Sequence, residues 1–90
     1  MDTNSNAIPS SQQIAERGEA IYWKKYAKKL EGDAGKFVAI NIRTEEATIS
    51  ETAEGAVRTA MEKDPSGFFH LIRIGKSGAM EAGWYMSHAR

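Results

Sequence analysis

The sequence has no cysteine. That excludes a disulfide framework, a thiolate metal site and a cysteine nucleophile. It has no excess of either charge: Lys and Arg total 12, Asp and Glu total 12, and the formal net charge is zero. The broad electrostatic argument for binding nucleic acid or an acidic membrane surface is therefore missing. No apolar run approaches the roughly 20 residues that a membrane helix needs. Residues 1–11 carry neither a basic n-region nor an apolar h-region, so the expectation is no signal peptide and a cytoplasmic location. Bulky apolar side chains are scarce: Ile, Leu, Val and Phe number 15 of 90 residues. Disorder typically combines less than about 20% of these residues with a large net charge, and only the first condition holds. Two Trp, three Tyr and four Met add apolar area. The expectation is one folded domain with a thin core.

No internal repeat is present. Residues 1–9 are polar, have no period and read as a flexible tail, which leaves residues 10–90 as the domain. Ser10 and Gln13 have capping-box spacing, so a first helix is predicted from there to about Glu31, ending at Gly32. Within it Tyr22, Trp23, Tyr26, Ala27 and Leu30 form one stripe about 140° wide. Lys24, Lys25, Lys28 and Lys29 fall opposite. Ile14 and Ile21 lie on the lysine side and break the pattern, which calls for a bend near Gly18 or a second apolar contact.

Residues 36–43 read as a strand, with Val38, Ile40 and Ile42 on one face and Phe37, Ala39 and Asn41 on the other. Thr44, Glu45 and Glu46 make a turn and residues 47–49 a return strand. Ser50 is the expected N-cap of a second helix, with Glu51 near its positive dipole end. Ala53, Ala56, Val57, Ala60 and Met61 form its apolar stripe, and Glu54 and Arg58 pair on its outer side. The turn at Asp64, Pro65, Ser66 and Gly67 ends it. Residues 68–74 form the strongest strand, followed by a loop at Gly75, Lys76, Ser77 and Gly78. Residues 80–86 make a candidate last strand, weakened by Gly83. The order α-β-β-α-β(-β) predicts an α+β fold, with an antiparallel sheet of three to four strands ordered 2-1-3-4 and two helices.

The strand faces carry the strongest expectation. Phe68, Ile72 and Ile74 point one way and Phe69 and Leu71 the other, so both sheet faces want cover. The second helix covers one. The first helix then covers the other, on its own sheet, on a neighbouring subunit's or on a different protein.

The run Gly35-Lys36-Phe37-Val38-Ala39-Ile40, a turn, an Ala-rich helix and Phe69-His70-Leu71-Ile72-Arg73-Ile74-Gly75 resembles a group of small bacterial proteins of unknown function. The resemblance spans about residues 35–75 and rests on core and turn positions. The group's hairpin turn commonly carries an acidic residue and a Gly, whereas here it is Thr44-Glu45-Glu46. The resemblance implies a small bacterial α+β domain that is not an enzyme, and it brings no catalytic residue.

The residues themselves point the same way. His70, mid-strand between Phe69 and Leu71, reads as a sheet histidine before a general base. His88 is close to the C-terminus, and two histidines without acid spacing make no metal site. Residues 75–78 lack the full phosphate-loop spacing. Glu45 and Glu46 read as a solvated turn. No catalytic residue, metal ligand or cofactor is expected. The leading expectation is a protein–protein interaction or accessory module that can self-associate. Its binding residues are Tyr22, Trp23, Tyr26 and Leu30 on the first helix, with Trp84 as a second anchor. A nucleic-acid face at Arg17, Lys24, Lys25, Lys28 and Lys29 is the first alternative. Against it, the rings and lysines lie on opposite sides of the wheel. A small-anion clamp formed by Arg43 and Arg73 is the second; a surface ion network of these arginines with Glu45, Glu46 and Glu81 competes with it.

Overall fold

A computed structural model describes residues 8–75 and the backbone of residues 80–86. The first helix starts where the capping box places it. Gln13 N donates to Ser10 Oγ at 3.1 Å, and Ser10 N donates back to Gln13 Oε1 at 2.8 Å. Two backbone donors that the helix start would leave orphaned are thereby satisfied. α1 spans Ser11–Ile21 and runs into a π turn over Tyr22–Tyr26, and a short 3-10 turn follows at Glu31–Asp33. Gly35 then turns the chain with φ +92°, a conformation open to glycine without a Cβ clash.

The strands are β1 (Phe37–Asn41), β2 (Ala47–Ser50) and β3 (Phe68–Ile74). β1 lies between the other two and is antiparallel to both, with Val38 opposite Ile49 and Ile72. α2 spans Ala53–Lys63. The fold is α+β, as expected, with two helices and an antiparallel sheet. β1 is shorter than the expected 36–43, because the chain turns after Asn41. The N-cap of α2 is Thr52 instead of Ser50: Gly55 N donates to Thr52 Oγ1 at 2.9 Å, while Ser50 ends β2 and accepts from Thr52 N.

Both sheet faces are apolar, and both are covered by this chain's own helices. Alternation along β1 and β3 sends Val38, Ile40, Ile72 and Ile74 to one face, where Ile21, Tyr22, Ala27 and Leu30 pack on them. Ala39, Phe69 and Leu71 face the other way, against Ala56, Val57 and Ala60 of α2. The small α2 stripe fits the bulky strand residues opposite it. The first helix thus docks in cis.

The π turn explains the phase break in the first helix. Ala27 N donates to Tyr22 O at 2.7 Å, five residues back. A π turn takes up one residue more than an α turn. At 100° per residue, an unbroken α-helix with Ile14 and Ile21 on the sheet would aim Lys25 at the core and turn Ala27 and Leu30 away. The extra residue resets the phase. Ile14, Gly18, Ile21, Tyr22, Ala27 and Leu30 all become buried, and the lysines turn to solvent. At Gly18 the helix comes close to β3, since a Cβ there would lie 2.3 Å from the His70 Cβ. Among the described residues no helix is long and apolar enough to cross a membrane.

Candidate interaction surface

The same phase reset decides which residues of the first helix remain available. Tyr22 is fully buried and Leu30 is 7% exposed, so neither can be a partner-binding residue as the helical wheel suggested. Both are core positions because the π turn brings them onto Val38, Ile40, Ile72 and Ile74. Burial is the main effect holding the Tyr22 phenol above its ordinary pKa, with the Glu31 carboxylate adding to it. The Tyr22 hydroxyl has no hydrogen-bond partner among the described residues. Trp23 moves the other way and is 52% exposed, its ring standing edge-on to Tyr22 with centroids 5.5 Å apart. Tyr26 is half-buried and donates its hydroxyl to the Glu45 carbonyl at 2.7 Å. The side chain of Trp84, His88 and residues 76–79 lie outside the described residues, as do residues 1–7 of the expected tail.

Arg17, Lys24, Lys25, Lys28 and Lys29 are all exposed. Trp23 joins them on the solvent side, so the expected separation of this ring from the cations does not hold. Lys25 Nζ lies 3.1 Å from Glu45 Oε1, and Lys29 Nζ lies 5.8 Å from the centre of the Tyr26 ring. Arg17, Lys24 and Lys28 have no carboxylate partner among the described residues.

A groove of about 550 Å³ runs between the first helix and the β1–β2 turn. Its walls are Arg17, Ala20, Ile21, Lys24, Lys25, Ile42 and Glu45. Glu45 occupies the left-handed region at φ 69°, the one non-glycine residue there among those described. This conformation is uncommon for a residue with a Cβ. Three contacts hold it: Glu45 N donates to Asn41 O at 2.7 Å, its carbonyl accepts from Tyr26, and its carboxylate accepts from Lys25. The turn is therefore more than the solvated loop its two glutamates suggest. The signal was the missing glycine at a position that favours one.

Behind the turn lies a second polar junction that the sequence did not suggest. Asn41, 5% exposed, donates from Nδ2 to Asp64 Oδ2 at 2.8 Å, and its Oδ1 accepts from the backbone N of Arg43 and Thr44. Arg43 also donates to Asp64. The hydrogen bond from Asn41, with that from Arg43, holds the Asp64 carboxyl below its ordinary range against the opposing effect of burial. This cluster pins the β1–β2 turn to the end of α2. It also corrects the arginine expectation. Arg73 sits opposite Phe37 and over its ring, whereas Arg43 lies beyond Asn41 at the other end of the strand pair. Four strand steps, about 13 Å, separate Phe37 from Asn41, and Arg43 is turned onto Asp64 beyond it, so the two arginines form no clamp. Among the described residues Arg43's carboxylate partner is Asp64, not Glu45 or Glu46, and the side chain of Glu81 lies outside them.

His70 is 1% exposed beneath Gly18, with Glu19 Oε2 3.6 Å from its Nε2. No group of His and acidic residues suited to a metal ion occurs among the described residues. No family model matches the chain, and no curated protein or solved structure is significantly similar to it.

Proposed function

We propose that this chain is a small protein–protein interaction or accessory module, without catalytic activity of its own, that docks through the solvent side of its first helix. Trp23 carries the reading. A half-exposed Trp on the rigid flank of a folded helix forgoes burial that a domain with so thin a core would gain from. Trp is also the residue most enriched among interface anchors. With both sheet faces covered in cis, self-association would run through this helix surface instead of through a bare sheet.

We read the sheet as four-stranded in the order 2-1-3-4. The backbone of Met80–Met86 supports this, running antiparallel to β3 with Leu71 opposite Gly83 and His70 opposite Trp84. Trp84 remains the second proposed anchor.

Light scattering over a range of concentrations, on the native chain and on Trp23→Ser, tests the reading. The expected result is a mass above the monomer that Trp23→Ser lowers while thermal stability barely changes. A strict monomer removes the self-association version. A monomer in which Trp23→Ser also costs several kcal/mol overturns the reading, because Trp23 would then be a packing residue.

The nucleic-acid reading keeps one supporting observation: Arg17, Lys24 and Lys28, without a carboxylate partner among the described residues, lie on the same side as an exposed ring. It requires binding that weakens steeply with salt. No shift of DNA or RNA at low salt eliminates it.

A further inference from the structure

We infer that the groove between α1 and the β1–β2 turn docks an acidic, amphipathic peptide segment of a partner protein. The inference rests on reading the chain as an interaction module, but it uses a different surface from Trp23, which is not among the groove's walls.

Charge selects the occupant. Among the described residues three cations and one carboxylate line the groove, and that carboxylate is already taken by Lys25. Arg17 and Lys24 have no anion among the described residues. They are seven residues apart on one side of the helix, about 10 Å along its axis. That span matches carboxylates two helical turns apart, or three residues apart in an extended segment. Between the cations the floor is aliphatic, made of Ala20, Ile21 and Ile42. A peptide that alternates acidic and aliphatic side chains satisfies both.

The same features disfavour other anions. Among the described residues no ring lines the groove on which a base could stack, and its aliphatic floor offers nothing to a phosphate chain. At about 550 Å³ the groove is far larger than an inorganic ion, and such an ion would leave the aliphatic floor wet. Glu45 also stiffens the wall, since backbone, carbonyl and carboxylate are each held. A preorganised wall lowers the ordering cost of docking.

The test is an amide NMR titration of the full chain with four probes: a short Glu/Leu amphipathic peptide, its Gln/Leu counterpart, oligothymidine and inorganic phosphate. The Glu/Leu peptide is expected to shift Arg17, Ala20, Ile21, Lys24, Ile42 and Glu45. The Gln/Leu peptide should bind more weakly, and Arg17→Glu with Lys24→Glu should weaken the Glu/Leu peptide by about tenfold or more. Both residues are exposed, and Arg17→Gln with Lys24→Gln serves if charge reversal harms folding. Equal binding of the two peptides, shifts located elsewhere, or no binding overturns the inference. Tighter binding of oligothymidine overturns it in favour of nucleic acid. Phosphate producing the same shifts at the same concentration reduces the groove to a simple anion site. A Trp23-dependent dimer with a silent groove sinks this inference alone. A groove that binds while Trp23→Ser changes no association supports it and removes the Trp23 anchor.

Discussion

The two helices cover opposite faces of one sheet, yet they solve the problem differently. α2 is regular from its Thr52 cap to Lys63, and its stripe of Ala56, Val57 and Ala60 packs at one phase throughout. Its Glu54–Arg58 pair forms as the spacing predicts, at 2.7 Å. The first helix carries two apolar stripes out of phase by one residue and reconciles them with a π turn. A helix with one stripe can be read from its period. A helix with two cannot, because the period does not say whether the chain bends, meets two partners or inserts a residue. Here insertion wins, since it buries both stripes on one face and frees the lysines.

Single-residue deletions test that contrast most severely. Removing Thr59 from α2 rotates Ala60 by about 100° off the sheet and puts the longer Met61 in its close-packed place, and cooperative unfolding should be lost in a thermal melt. Removing Lys24 from the π turn should leave a cooperative fold, because Tyr22, Ala27 and Leu30 then sit at ordinary α spacing. Unfolding of the Lys24 deletion would show that the π turn is more than a phase correction. Truncations come next. Ile14→Ala, at a fully buried site the wheel placed among the lysines, should cost about 2–5 kcal/mol in denaturant melts. Trp23→Ala should cost clearly less, and the reverse order would restore the single-stripe helix.

The Asp64 junction ties the α2 side of the molecule to the turn that borders the groove. Asp64→Ala leaves the buried Asn41 amide without its acceptor and should cost about 1–3 kcal/mol. Because the folded state lowers the Asp64 pKa, its contribution is complete above the unfolded value and fades as pH falls through the folded one. Native protein should therefore lose this increment only in acid, below about pH 4, while Asp64→Ala should show a flatter acid limb. Tyr22→Phe gives the smallest effect. Deleting a buried hydroxyl without a partner among the described residues should leave stability unchanged or raise it by up to about 1 kcal/mol, by thermal melt.

Much of this was legible because it is local. The Ser10–Gln13 cap, the bounds of β3, the two-faced strands and the α2 stripe depend on residues within a turn or a strand of each other. Tyr22 and Trp23, read from the wheel as one binding stripe, part because adjacent positions are 100° apart, so one turns into the core and the other stays outside. The Asn41–Asp64 junction joins residues that no periodicity relates. The groove needs Arg17 and Lys24 from the helix and Ile42 and Glu45 from the turn, which only packing brings together.

Composition and alternation by themselves determined an α+β domain whose sheet has two greasy faces, because side-chain direction along a strand follows from backbone geometry. The tertiary structure decided that both covers come from the same chain and which helix residues stay outside. That choice depends on the summed burial of Ile14, Tyr22 and Leu30 against one sheet, a quantity that exists only once helix and strands have met.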